Sequence, residues 1–435
     1  MIFDDTIIRI QSMYVYRSLT PKLIEFIKYF PAIAITGARQ VGKSTWLKEV
    51  VGKNADTVVF DPVIDVGNAR ADPELFLRSR KPRGGTRHLI LDEIQYVPQL
   101  VSVLKRMIDE DRTPGQYIIT GSQQWEVMKT LSESLAGRVV FLDLEGFNLS
   151  EISQIPAVTS WLENWIQSPD SFFKKKHTRL NLGKSVFETI WRGSFPEIQF
   201  LPLEMTSPFF TSYLRTYVER DVRLLADVHD WELFGRFVRL CAALSGQEVN
   251  FSQLGRDLGL TPQTARRWVQ VLKATFQWYE VNAFSQNTIK RISGKPKGYL
   301  ADTGFLCFAQ SISSPDALAG HPLWGAVFET AVAAEFRKQI ALMKSPPQFH
   351  HWRSHAGAEV DIILERDDRY FPIEIKSKSH PSQRDLSGIQ AFRYAYPQLK
   401  IAPGLVIAST QEVFALSPQD YAVPWDLQSD IDSTG

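Results

Sequence analysis

Apolar residues come in short unbroken runs over the first third of the chain: "PAIAIT" at 31–36, "TVVF" at 57–60, "HLILD" at 88–92, "QYIIT" at 116–120 and "RVVFLDL" at 138–144. Runs of this length, rich in Ile and Val and closed by Gly, Asp or Pro, predict a parallel sheet with helices on both faces. From 151 to 181 the periodicity is lost around a short apolar "WLENWI", which predicts a loop-rich insertion whose "KKKH" run is a solvated patch. A turn at "GSFPEI" (193–198) and a long amphipathic helix at "YLRTYVERDVRLLADV" (213–228) follow.

Residues 250–273, "NFSQLGRDLGLTPQTARRWVQVLK", predict two helices: Gly259 ends the first, and Thr261 with Pro262 caps and starts the second. Ala265, Val269 and Leu272 then share one face, leaving Arg266 and Arg267 on the other. The stretch "NTIKRISGKPKGYLADTG" (287–304) suggests a hairpin carrying Lys290, Arg291, Lys295 and Lys297, so the region reads as a winged helix, either a DNA-facing module or a packing module. The last third opens with a strongly helical "LWGAVFETAVAAEFRKQIAL" (323–342) and continues with strand-like "QFHHWRS", "AGAEVDIILE" and "YFPIEIKSK". A turn at "RDDR", a helix from about Gln383 to Tyr396 and a final "GLVIAS" run complete an α-β-β-β-α-β order.

Candidate chemistry sits at the ends of these elements. After the first strand comes G-x-x-x-x-G-K-S/T, with Gly37, Ala38, Arg39, Gln40, Val41, Gly42, Lys43, Ser44 and Thr45 leading into a helix. Glycines let backbone N–H groups turn inward on phosphate oxygens, Lys43 adds a point charge, and Ser44 offers a hydroxyl to Mg²⁺. The third run ends in Asp92, suited to the Mg²⁺ shell, and Glu93, suited to polarising an attacking water. Thr120 and Ser122 end the fourth run, where they either sense a γ-phosphate or merely build a turn. These motifs, with "LSESLAGR" before the fifth run, resemble the AAA+ ATPase family, in a subgroup with a C-terminal domain of unassigned function. That resemblance implies ATP and Mg²⁺ as cofactors and an arginine contacting the γ-phosphate, within the protomer or across an interface of a homo-oligomer. Arg138 is the first candidate for that contact, with a surface ion pair as its alternative; Arg220 and Arg223, beside Asp221, either reach nucleotide or a neighbouring subunit or form ion pairs within their helix.

In the last third, alternation places Glu359 with Asp361 on one strand face and Glu374 with Lys376 on another, while Glu329 is embedded in the preceding helix. This pattern resembles the PD-(D/E)xK nuclease superfamily. The resemblance implies Mg²⁺ held by Glu329, Asp361 and Glu374, with Lys376 orienting the water or steadying developing charge, although Val360 stands where the superfamily often has proline. His350, His351 and His355 read as loop or strand-surface residues.

Composition narrows the function classes. A hydrophobic fraction of 44% and a charged fraction of 22% exclude a disordered chain. Net charge of +1 means that any attraction to DNA must come from local Lys and Arg clusters. Two cysteines in separate segments, Cys241 and Cys307, offer no disulfide framework or Cys-rich zinc site. No uncharged apolar stretch approaches ~18 residues and "MIFDDTIIRIQ" lacks a basic leader, which predicts a cytoplasmic protein without membrane contact. The expected organisation is an ATPase domain (1–150), a helical linker or lid (151–232), a winged-helix-like domain (233–310) and a nuclease-like domain (311–435). Together they predict an ATP-dependent protein acting on DNA, either by Mg²⁺-dependent cleavage under ATP control or as a switch whose nuclease fold is silent.

Overall fold

The computed structural model describes residues 14–60, 65–80, 88–121, 135–155, 159–217, 222, 230–287, 289, 291 and 294–428. Each of the five runs becomes a strand: β1 (Ala32–Thr36), β2 (Ala55–Val59), β3 (His88–Asp92), β4 (Tyr117–Gly121) and β5 (Val139–Asp143). All pair in parallel, in the order β2-β3-β4-β1-β5. β1 and β4 are buried along their whole length, which is why they carry no polar alternation. Helices Thr20–Tyr29, Lys43–Val50 and Leu100–Glu110 flank this sheet.

A second, mixed sheet occupies the rest of the chain. Its strands are β6 (Gln247–Glu248), β7 (Trp278–Ala283), β8 (Lys297–Leu300), β9 (Gln348–Arg353), β10 (Glu359–Arg366), β11 (Arg369–Lys376), β12 (Lys400–Ile401), β13 (Leu405–Ala408), β14 (Phe414–Ala415) and β15 (Tyr421–Pro424). The order is β14-β15-β13-β11-β10-β9-β7-β8-β6, with β12 on β11. The expected α-β-β-β-α-β order is present as helix Trp324–Leu342, β9 to β11, helix Ser387–Ala395 and β13. The "RDDR" turn is a two-residue hairpin: Arg366 pairs with Arg369, and Asp367 and Asp368 take φ of 52° and 57°. Two positive φ values in succession match the right-handed twist of the flanking strands.

The expected wing is built into this sheet rather than projecting from it. β7 pairs with β9 in parallel at Asn282–His350 and Ala283–His351, so β7 and β8 continue the C-terminal sheet across the expected 310/311 boundary. Gly298 makes the fit possible, because a Cβ there would lie 1.9 Å from the Trp278 ring. The helix pair is as read: Phe251–Leu258 ends at Gly259 with φ 68°, and Thr261 caps Pro262–Ala274 by accepting from Thr264 N–H.

Two readings are corrected. Residues 159–180 are not loop-rich insertion. Ser160 caps helix Trp161–Gln167, which buries Trp161 and Trp165 edge-on against Phe336 and Phe371, so the tryptophans mark core. His350 and His351 are buried in β9, where desolvation lowers the pKa of both, His351 to about 4, while His355 is exposed. Of the amphipathic helix, Thr206–Thr216 is described; Arg220 and Arg223 lie outside the described residues. Among the described residues no helix is long and apolar enough to cross a membrane.

Helix Trp324–Leu342 joins the two sheets. Arg337 pairs with Glu145, Lys338 donates to the Phe147 carbonyl at 2.9 Å, and Glu335 accepts from Leu149 N–H at 3.1 Å. Lys22 closes the far end on the carbonyls of Ala341 and Met343. Glu335 is deeply buried, and burial pushes its pKa up to about 7. In the unfolded chain it deprotonates first, so the folded state loses stability as pH rises from about 4.5 to 7. Glu335→Gln can still accept from Leu149, and once the Gln339 amide, whose Nε2 now donates to Glu335 Oε1 at 3.0 Å, turns over, the new amide can donate to Gln339 Oε1, a buried atom without a partner. The variant is therefore expected to be more stable than the parent at pH 8, by an amount on the order of 3 kcal/mol, and nearly equal at pH 4.5. Urea unfolding at the two pH values checks this, and a pH-independent difference would contradict it.

Candidate functional site

The phosphate loop turns on backbone geometry that its residues permit. Gly37 passes so close to the Leu144 carbonyl that a Cβ would lie 2.0 Å from its oxygen, and Gly42 takes φ 91° as helix Lys43–Val50 begins. Lys43 is buried and folds back on its own loop, donating to the carbonyls of Gly37 and Ala38, each at 2.8 Å. Ser44 Oγ donates to Asp92 Oδ2 at 2.7 Å, and Thr120, from the neighbouring strand, hydrogen-bonds Asp92 Oδ1. Glu93 follows in the left-handed region at φ 60°, its N–H on Thr120 Oγ1 and its carboxylate bonded to Gln95. The sheet order thus brings Lys43, Ser44, Asp92, Glu93 and Thr120 together at the C-terminal ends of β1, β3 and β4. Ser44 and Asp92 are hard oxygen donors already in contact, a set that suits Mg²⁺ with waters and phosphate completing its shell.

Beside the loop opens a pocket of about 500 Å³, lined by Tyr14, Arg17, Gln40, Val41, Gly42, Thr45, Phe147, Pro196 and Phe200 among others. Its apolar walls and size fit a nucleoside next to the loop that would take its phosphates. Arg17 frames one side, donating to the carbonyls of Val41, Glu145 and Gly146 while pairing with Glu151. Arg17 precedes every recognised motif, and nothing in the sequence around it signals a site. Pro196 was legible only as part of a turn.

Two expected nucleotide contacts are not brought here. Val139 pairs with Ala32, so Arg138 stands at the N-terminal ends of the strands, roughly 15–20 Å along the sheet from the phosphate loop. There it pairs with Asp109 at 2.6 Å, the surface ion pair weighed as its alternative, and it cannot reach a γ-phosphate within its own protomer. Ser122 lies outside the described residues.

In the second sheet, Glu329, Asp361, Glu374 and Lys376 do converge, and two unforeseen groups join them. Lys376 Nζ lies 2.7 Å from Glu374 and 3.7 Å from Asp361, and Ile375 N–H donates to Asp361. Lys297, from β8, reaches in at 3.1 Å from Glu329 and 3.2 Å from Asp361, and Tyr299 donates to Glu329 at 2.8 Å. Lys297 is buried and does not face outward as a wing cation; its spacing of two from Tyr299 on one strand was the available signal. Burial raises Glu329 to about 7 and Glu374 to about 8, each helped by the charge on Asp361. Burial also pushes Asp361 up, but Lys297, Lys376 and the Ile375 N–H outweigh it and hold that carboxyl below its ordinary value. Among the described residues no three of His, Cys, Asp and Glu are disposed to hold a metal ion.

Comparison with known proteins agrees with the first site. Residues 29–153 match a family described as an AAA domain, which supports an AAA-type ATPase domain that binds ATP. Residues 183–316 and 324–427 match two families described as domains of unknown function, DUF8612 and DUF4143. Uncharacterized proteins of Mycobacterium bovis and Mycobacterium tuberculosis are each 29% identical over 411 residues, 94% of this chain and 83% of theirs. Among solved structures, a Walker-type ATPase of Pyrococcus abyssi aligns over 67% of this chain and 94% of its own, at 13% identity and a TM-score of 0.39. A Drosophila ORC structure bound to DNA aligns over 64% and 90%, at 16% identity and a TM-score of 0.25. Both TM-scores lie below 0.5, so neither likeness bears on function.

For the nucleotide site, Lys43→Ala removes the buried ammonium that would move from its own loop carbonyls to the phosphates. Loss of one charge-assisted contact of about 2 kcal/mol predicts at least a tenfold weaker affinity for a fluorescent ATP analogue. Unchanged affinity would contradict the assignment.

Proposed function

We propose that this protein is an ATP-hydrolysing switch that engages DNA and relays the state of its phosphate loop to the carboxylate–lysine cluster of the second sheet. One observation carries this reading: a continuous chain of contacts runs between the two sites. Arg17 holds the Val41 carbonyl of the loop and the backbone of Glu145. The Glu145 carboxylate pairs with Arg337 at 2.9 Å, and the Arg337 guanidinium lies 4.2 Å from the centre of the Tyr279 ring. Tyr279 stacks on Tyr299 at 5.3 Å and 17°, and Tyr299 donates to Glu329. ATP would recruit Lys43 and the loop N–H groups, with Ser44 and Asp92 holding Mg²⁺ and Glu93 aligning the water. Any shift of Val41 or Leu144 then bears on Arg17 and Glu145.

For DNA, the support is the exposed face of helix Pro262–Ala274. Arg266 and Arg267 are exposed there, with Arg256 nearby on the preceding helix. The hairpin adds little: Arg291 pairs with Glu365 at 3.0 Å, Lys297 is buried, Lys290 lies outside the described residues, and Lys295 is exposed. A second reading, metal-dependent cleavage by the C-terminal region, is favoured by the convergence of Asp361, Glu374 and Lys376 from adjacent strands. Arg138 serves that ATPase only if a neighbouring copy receives it across an interface.

One titration tests both readings. Labelled duplex, single-stranded and branched DNA are expected to bind in an ATP-dependent manner, and Arg266→Ala/Arg267→Ala to lower affinity and reduce the salt slope by about 2. Binding that ignores these substitutions would sink the DNA assignment. Intact DNA after incubation with Mg²⁺ and ATP would sink the cleavage reading for those substrates.

A further inference from the structure

We propose that Lys297 is the resident cation of the Glu329–Asp361–Glu374 cluster and keeps divalent metal out of it. The placement is built in rather than incidental. Lys297 pairs with Glu248 of β6 on one side and Val281 of β7 on the other, so its backbone is fixed between two strands. The next residue, Gly298, is packed under the Trp278 ring, which leaves β8 no room to slide. From there the ammonium stands 3.1 Å from Glu329 Oε1 and 3.2 Å from Asp361 Oδ1, with 7% of the side chain exposed. Lys376 covers Glu374 at 2.7 Å in the same way.

A magnesium ion needs oxygen ligands at about 2.0–2.1 Å in an octahedron and gives up its waters reluctantly. Placed between Glu329 and Asp361, it would meet the Lys297 ammonium at contact distance, a like charge in a buried site where such repulsion is poorly screened. Each of the three carboxylates already has a lysine partner, so the cluster is complete without metal. The side chain that closes it comes from the segment before the long helix, outside the stretch that carries the acids. This inference does not depend on the ATP relay, and it weighs against cleavage by a resident metal.

The test is Mn²⁺ uptake by the full chain without nucleotide, read from the free-ion signal in electron paramagnetic resonance. Wild type and Asp361→Asn are expected to take up the same amount, since any ion at Ser44 and Asp92 is common to both. Lys297→Met is expected to gain about one Mn²⁺ per chain, and Lys297→Met/Asp361→Asn to lose it again. Lys297→Gln, which keeps a donor toward Glu329 without the charge, repeats the test if the methionine variant does not fold. Uptake by wild type that Asp361→Asn abolishes would overturn the proposal. So would folded Lys297→Gln or Lys297→Met protein that gains no ion.

Discussion

The half-buried pairing of Glu145 with Arg337 is the constraint around which the two halves of the molecule are assembled. Glu145 lies two residues past β5, at the edge of the ATPase sheet, and Arg337 projects from the helix that carries Glu329. Desolvation works against the Arg337 charge, and the Glu145 carboxylate above all outweighs it, with Asp143 contributing; the guanidinium also lies 4.2 Å from the centre of the Tyr279 ring. Rotation of either half would break this pair and strip the partly desolvated Arg337 guanidinium of its carboxylate partner. The neighbouring bonds from Glu335, Lys338 and Lys22 to backbone groups of the joint repeat the arrangement. Directional polar contacts orient the two sheets, and apolar contacts such as Trp161 on Phe336, within one continuous core, add adhesion.

The same helix then places chemistry at two ends. Glu329 and Arg337 are eight residues apart, roughly 12 Å along the axis, which brings the acid to the cluster while the base stays at the joint. Helices are stiff over this distance, so under the proposed relay a displacement at Glu145 would be delivered to Glu329 and its partner Lys297. Arg17 supplies the corresponding step on the nucleotide side, because one guanidinium holds both the phosphate loop and the strand end that leads to Glu145.

Much of this was legible in the sequence, and the exceptions have physical reasons. Unbroken apolar runs announced the inner strands β1, β3 and β4, because strands buried on both faces carry few polar residues to break them, whereas the edge strands β2 and β5 expose much of their length and showed shorter or interrupted runs. The phosphate loop and "LDE" were legible because phosphate and Mg²⁺ demand particular residues at fixed spacing. Period-2 alternation along β10 and β11 singled out Asp361, Glu374 and Lys376, which the fold brings together. Arg17, Glu145 and Arg337 were not legible, since each meets a partner far away in the chain and its local pattern is that of any surface charge; Lys297 read as a wing cation, although its spacing of two from Tyr299 put both on one face of β8. The "WLENWI" segment was misjudged because a helix of seven residues is too short to display its period, and its burial is decided by Phe336 and Phe371. Arg138 was placed by order along the chain, whereas strand direction puts it at the far end of the sheet from the phosphates.

The most direct test of the account is hydrogen exchange at the cluster in response to nucleotide. With ATP and Mg²⁺ added, peptides covering 297–300 and 324–335 should change their exchange along with the phosphate loop. In Glu145→Gln, which keeps a hydrogen bond to Arg337 but not its charge, the loop should still respond while the cluster response is reduced or lost. A nucleotide response confined to the ATPase sheet, or a cluster response unaltered in Glu145→Gln, would contradict the relay.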